Sequence, residues 1–189
     1  MDEKQLIGIS IAGKTNKIGS VVLASVTTKP NLFRKIAFMN LKNPSPSELN
    51  KIVDISRKLI VDYKIHYIRP AELNVAKRYE NYADVETLAI IELLNSSYRF
   101  WNQKVFVEYD DRKEFIDKFT RLMPDNLLKV KDLNIDKWHI GTEEVKILQI
   151  AKLYAQYYLN IELNEISAVW GDLSPPNCPH IRDGGDSIG

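Results

Sequence analysis

The sequence predicts an α/β domain built on a mixed β-sheet, and three observations carry that prediction. Apolar, β-branched runs of strand length crowd residues 5–41 with short connections, the pattern of an antiparallel meander. Beyond them, segments of helical and strand periodicity alternate, the pattern of a parallel sheet with helices on its faces. The chain has 189 residues, 44% hydrophobic and 27% charged, which suits one globular domain with a sizeable core.

Residues 5–12 (QLIGISIA) are the first strand. Residues 18–28 (IGSVVLASVTT) are the second, bounded by Gly19 and Pro30, and residues 32–41 (LFRKIAFMNL) are expected as a third. Ser45, Pro46 and Glu48 then form a helix start: serine at the N-cap, proline at the first helical position, and glutamate placed for a capping box. Leu49, Ile52, Val53, Leu59 and Ile60 keep helical spacing to about Lys64, and a short strand is expected at 65–69.

A second helix begins near Asp84 and runs to about Trp101, with Val85, Leu88, Ile91, Leu93 and Leu94 on its buried side. Residues 104–108 (KVFVE) are a compact strand. Phe115, Ile116, Phe119 and Leu122 mark a third helix ended by Pro124, and residues 127–130 (LLKV) a brief strand. Thr142 is placed to cap a fourth helix, with Glu143 and Glu144 in its first turn and Val145, Leu148, Ala151, Ala155 and Tyr158 along its apolar side.

From Gly171 onward the composition shifts: four of the chain's 8 glycines and three of its 8 prolines fall there. The expected organisation is a domain over 1–170 and a Gly/Pro-rich tail over 171–189. A net charge of +1 gives no charge argument for nucleic acid. No apolar run reaches membrane-spanning length, MDEKQ carries no basic stretch ahead of an apolar core, and a lone cysteine, Cys178, permits no internal disulfide. These features lead to the expectation of a cytoplasmic protein with no membrane attachment.

Residues 8–15, from Gly8 to Thr15, match the phosphate-loop pattern G-x-x-x-x-G-K-[ST] letter for letter. In such a loop the lysine, here Lys14, reaches phosphates and the hydroxyl, here Thr15, holds Mg2+, while a following helix completes the anion site. The residues after Thr15 are strand-forming, and the loop interior, Ile-Ser-Ile-Ala, has no further glycine. A strand–turn–strand is therefore the expected structure, and nucleotide binding stands as an alternative.

The same stretch resembles the opening of ribonuclease HII, which reads G-[IV]-D-E-A-G-R-G-P-x-x-G-P-x-V-x-A. Here Gly8, Ile9, Ala12, Gly13, Gly19, Val22 and Ala24 agree without a gap. Ser10 and Ile11 replace the Asp-Glu pair, and Gly13-Lys14-Thr15 replaces the Gly-Arg-Gly that in the family contacts the strand around the ribose 2′-hydroxyl. Further on, Ala71-Glu72-Leu73-Asn74 is similar to the segment leading into the family's central helix. Val105 to Glu108 is similar to the strand ending in the third catalytic acid, and Ile135-Asp136 to the Ala-Asp carrying the fourth. Val145 to Lys152 (VKILQIAK) is similar to S-A-A-S-I-[IL]-A-K, and Trp170-Gly171-Asp172 to Tyr-Gly-Asp. The resemblance implies a ribonuclease H-like mixed sheet flanked by helices.

It also implies an altered chemistry. Members of the family are two-metal hydrolases in which clustered carboxylates hold Mg2+ or Mn2+. Ser10 offers a neutral oxygen and Ile11 none, so Glu108 and Asp136 would be left as metal ligands. The leading expectation is a degenerate site that binds RNA–DNA hybrid, other nucleic acid or a protein partner without the usual hydrolysis. The alternative is an active nuclease with a shifted catalytic set of Glu108, Asp110 and Asp136. Against that set, Asp110 and Asp111 also read as a solvated turn and helix start. Lys14, Thr15, Lys17 and Lys137 are the candidate nucleic-acid contacts, with Lys29, Arg34, Lys35, Lys129 and Lys131 as further cations.

Trp138 and Trp170 suit base stacking or, more commonly, buried anchoring. His66 in its apolar strand reads as structural, His139 as a loop contact near Asp136, and Cys178 with His180 as too few ligands for a metal.

Overall fold

The computed structural model describes residues 5–13, 20–37, 41, 43–69, 82–97, 103–122, 138–141 and 145–171. Strands β1 (Leu6–Ala12) and β2 (Val21–Thr28) pair antiparallel, with Ser10 opposite Ala24. Two helices follow, α1 (Pro30–Ala37) and α2 (Pro46–Arg57), before β3 (Asp62–Ile68) returns antiparallel to β2. Helix α3 (Tyr82–Asn95) leads to β4 (Lys104–Glu108), which lies parallel to β1. Helix α4 (Arg112–Leu122) precedes the short β5 (His139–Gly141), parallel to β4, and α5 (Lys146–Gly171) is the last described element. The sheet order is β3-β2-β1-β4-β5. The mixed sheet is as expected, antiparallel on the β3 side and parallel on the β5 side.

Residues 32–41 correct the expectation of a third meander strand: most of this run lies in α1, and the third antiparallel strand is β3. The reason is local. Pro30 takes the first helical position, where its missing N–H costs nothing. Phe33 and Ile36, one turn apart, then face the core, with Ile36 fully buried. The predicted 127–130 strand and the Thr142 cap lie outside the described residues. The capping box of α2 is present in full: Ser45 Oγ accepts from Glu48 N–H, and the Glu48 carboxylate accepts from Ser45 N–H at 2.8 Å.

Alternation along the strands divides the core in two. Ile7, Ile9, Leu23, Val105 and Val107 pack under α3 and α4 with Phe115 and Phe119. Ala12, Val22, Ala24 and Val26 pack on the other face against Val53 of α2 and Ile147, Ala151 and Tyr154 of α5. Gly8 belongs to this second face. A Cβ there would meet Ile147 Cγ1 at 2.7 Å and the Ile147 carbonyl oxygen at 2.8 Å. The first glycine of the phosphate-loop pattern is thus required by the close approach of α5. The second, Gly13, turns the chain at φ +93°, where a Cβ would lie 2.8 Å from the Ser20 carbonyl oxygen.

Candidate functional site

Parallel pairing sets Ile9 opposite Val107, so Ser10 and Glu108, one step further along, project side by side toward α5. Glu108 ends β4, and its side chain is 13% exposed. The Ser10 hydroxyl donates to Glu108 Oε2, and the Ile11 backbone N–H donates to the same oxygen at 3.2 Å. Lys152, from the second turn of α5, places Nζ 2.9 Å from Glu108 Oε1. One carboxylate therefore receives a hydroxyl, a backbone amide and an ammonium, and the Lys152 charge offsets that of Glu108. Charge-assisted bonds of this kind are the strong ones.

The void beside this carboxylate, lined by Ser10, Ile11, Glu86, Glu108 and Tyr109 among others, measures about 10 Å³. That is the room one water needs. Among the described residues no three His, Cys, Asp or Glu side chains gather in a way that could hold a metal ion. Two dications need several carboxylate oxygens and space for water. The described donor set does not fit them: Ser10 is neutral, Ile11 offers a backbone N–H, and the Lys152 ammonium already occupies the acceptor side of Glu108.

The remaining predicted residues fall as follows. Asp110 lies two residues beyond the end of β4 and is exposed. Its neighbour Asp111 accepts the Glu114 N–H at 2.9 Å, which makes it a cap of α4. Asp136, Lys14, Thr15, Lys17 and Lys137 lie outside the described residues, as do Lys129, Lys131, Trp170 as a side chain, Cys178 and His180. The next described element after the G-x-x-x-x-G-K-T segment is strand β2, whereas a phosphate loop leads into a helix. Trp138 is a core anchor, 5% exposed and edge-on to Phe119. His66 Nδ1 lies 3.1 Å from Glu92 Oε2 at the surface, and the His139 ring lies 5.5 Å from that of Phe106.

No family model matches the chain. In sequence it is 26% identical over 178 residues to a ribonuclease HII of Methanosphaera stadtmanae, an alignment spanning 91% of this chain and 79% of that protein. In structure it superposes on ribonuclease H2 from Pyrococcus horikoshii with a TM-score of 0.69 at 18% identity, covering 93% of this chain and 82% of that one.

The chain has the ribonuclease H-like fold.

Two further solved structures share that fold. Ribonuclease HII of Archaeoglobus fulgidus, solved as a complex with PCNA, gives a TM-score of 0.63 at 18% identity over 90% of this chain and 82% of that one. Bst-RNase HIII, solved with Mn2+, gives 0.71 at 13% identity over 89% of this chain and 56% of that one. Among the described residues, no helix is long and apolar enough to cross a membrane. Sequence reasoning singled out Ser10 and Glu108 separately, without the bond between them, and gave Lys152 no role. The available signal was its place as the last residue of the VKILQIAK match, one helical turn beyond Leu148, which faces the core.

Proposed function

We propose that this ribonuclease H-like protein binds nucleic acid, an RNA–DNA hybrid in the first instance, without metal-dependent hydrolysis. The supporting observation is the state of Glu108, whose two oxygens are taken by Ser10, Ile11 and Lys152. An ammonium on the carboxylate supplies the positive charge that a metal would otherwise bring. It neutralises the site but generates no hydroxide. The family likeness of the scaffold supports a nucleic-acid ligand, with Lys14, Thr15, Lys17 and Lys137 as the proposed backbone contacts.

The test is incubation of a labelled duplex containing ribonucleotides with Mg2+ and then Mn2+, beside the Asp136→Ala protein and a native gel. The expected result is an uncut duplex that shifts at low salt and is released as salt rises. Metal-dependent cutting that disappears in Asp136→Ala would overturn this reading in favour of a working set of Glu108, Asp110 and Asp136. Neither cutting nor shift would turn attention to a protein partner, a reading favoured by the neighbour solved with PCNA.

A further inference from the structure

We propose that the groove between α2 and α5 takes an unstacked nucleobase and that Gln149 reads its amino edge. This rests on the nucleic-acid reading above and names a subsite for it. The groove encloses about 550 Å³, within the range of small-molecule sites and ample for a base with its sugar. Its walls are apolar at Leu41, Pro44, Leu49 and Leu153, and polar at the amides of Asn43, Gln149 and Gln156. Lys152 also borders it, but that ammonium is countered by Glu108. A lining of apolar side chains and amides with balanced charge suits an uncharged heteroaromatic ring better than a phosphate.

Gln149 supplies the second observation. Its Oε1 is buried and has no hydrogen-bond partner among the described residues. Buried acceptors are nearly always paired, so an orphan asks for an explanation. The last side-chain torsion of glutamine is soft. Gln149 lines the groove, and a half-turn of that torsion exchanges the places of its carbonyl and amino groups. The oxygen needs a donor, and the exocyclic amines of adenine and cytosine are donors; glutamine also matches adenine with a paired contact. Gln149, Leu153 and Gln156 follow one face of α5 at helical spacing, so a ring lying along Leu153 has an amide at each end. Lys152 lines this groove and bonds Glu108, so one side chain links the groove to that carboxylate.

The experiment uses the full chain and RNA–DNA hybrids carrying one unpaired 3′ nucleotide: adenine, purine lacking the amino group, or an abasic unit. Fluorescence anisotropy compares the wild type with Gln149→Leu, and adenosine alone is titrated into labelled protein by NMR. The adenine extension is expected to bind about tenfold more tightly than purine or abasic extensions, the size of one hydrogen bond to an otherwise orphaned group. Gln149→Leu is expected to erase that gain.

Equal binding of all three extensions by the wild type, or an unchanged gain in Gln149→Leu, overturns the proposal, and hybrid binding without base dependence leaves the nucleic-acid reading standing. Adenosine shifting the Gln149 side-chain amide, with no hybrid bound, sustains the groove and removes the hybrid. No response to adenosine or to any extension removes both. The series on wild-type protein decides the matter even if the variant fails to fold.

Discussion

Lys152 Nζ lies 2.9 Å from Glu108 Oε1, tying the long last helix to the end of the central parallel strand. The side chains are 29% and 13% exposed, so water screens the pair only in part. Lys152→Met is expected to destabilise the protein by about 1–3 kcal/mol, because it leaves a largely buried carboxylate without its cation. Glu108→Gln combined with Lys152→Met should recover most of that loss. Urea midpoints for the two single variants and the double variant measure the coupling directly. A double variant as unstable as the sum of the singles would show that the two groups do not act as a pair.

The same geometry predicts the response to metal. Wild-type protein should show no change in Tm with Mg2+ or Mn2+. Ser10→Asp with Lys152→Met replaces a hydroxyl and an ammonium by a second carboxylate beside Glu108. That variant should be unstable in chelator and regain stability with Mn2+, by about 2.7 kcal/mol once the ion reaches a hundred times its Kd. A wild-type Tm that climbs with Mn2+ would mean that the acids present already hold an ion.

How far these features were legible in the sequence depended on the range of the interaction that makes them. The α2 capping box is written in four consecutive residues, and both of its reciprocal bonds are present. Strands β1, β2 and β4 carry their signal in local β-branched content, but the Ser10–Glu108 bond joins residues 98 apart and no local pattern encodes it. Residues 32–41 misled because Leu-Phe-Arg-Lys-Ile supports strand alternation and helical spacing alike. The deciding feature was Pro30 just upstream. Strand β5 has three residues, too few for any periodicity, and exists because β4 offers it a parallel edge. The Lys152–Glu108 pair spans 44 residues and two elements, a meeting that no local pattern encodes.

Gly8→Ala tests whether that glycine serves packing or phosphate. The added methyl would sit 2.7 Å from Ile147 Cγ1 and 2.8 Å from the Ile147 carbonyl oxygen. Ile147 is buried and β-branched, so its Cγ1 turns only at a packing cost, and the backbone oxygen moves only if α5 moves. A loss of about 1–3 kcal/mol is expected, read as a lower urea midpoint. ATP or GTP should not restore it. Protection by either nucleotide, lost in Lys14→Ala, would bring back the phosphate-loop reading.

Alkaline pH should unfold the protein through its tyrosines. Burial pushes the Tyr154 hydroxyl up to about 12, opposed in part by its 2.9 Å hydrogen bond with Ser56, and burial raises Tyr158 to about 12 as well. Below the usual tyrosine value of 10 both states keep the proton, and the folded chain has its full stability. Between 10 and about 12 the unfolded chain releases protons that the folded chain holds, so stability drains away as pH rises through that window. Tyr154→Phe should be less stable at neutral pH, having lost the Ser56 bond, yet show a shallower alkaline decline. Urea midpoints on either side of the window decide it. Parallel declines in both proteins would remove Tyr154 as the cause.

Gln149→Leu should move stability the other way. In the wild type the Gln149 carbonyl is buried without a partner among the described residues, a penalty of about 1–3 kcal/mol. Leucine removes that acceptor and adds apolar surface beside Leu153, so the urea midpoint is expected to rise by the equivalent of about 1 kcal/mol. A gain in stability paired with loss of adenine discrimination would mean that the orphaned carbonyl is kept for binding at a cost to the fold, as is common at functional sites. A loss of stability would mean instead that the glutamine amide is held by a partner or an ordered water inside the fold, and the case for a reader in the groove would fall with it.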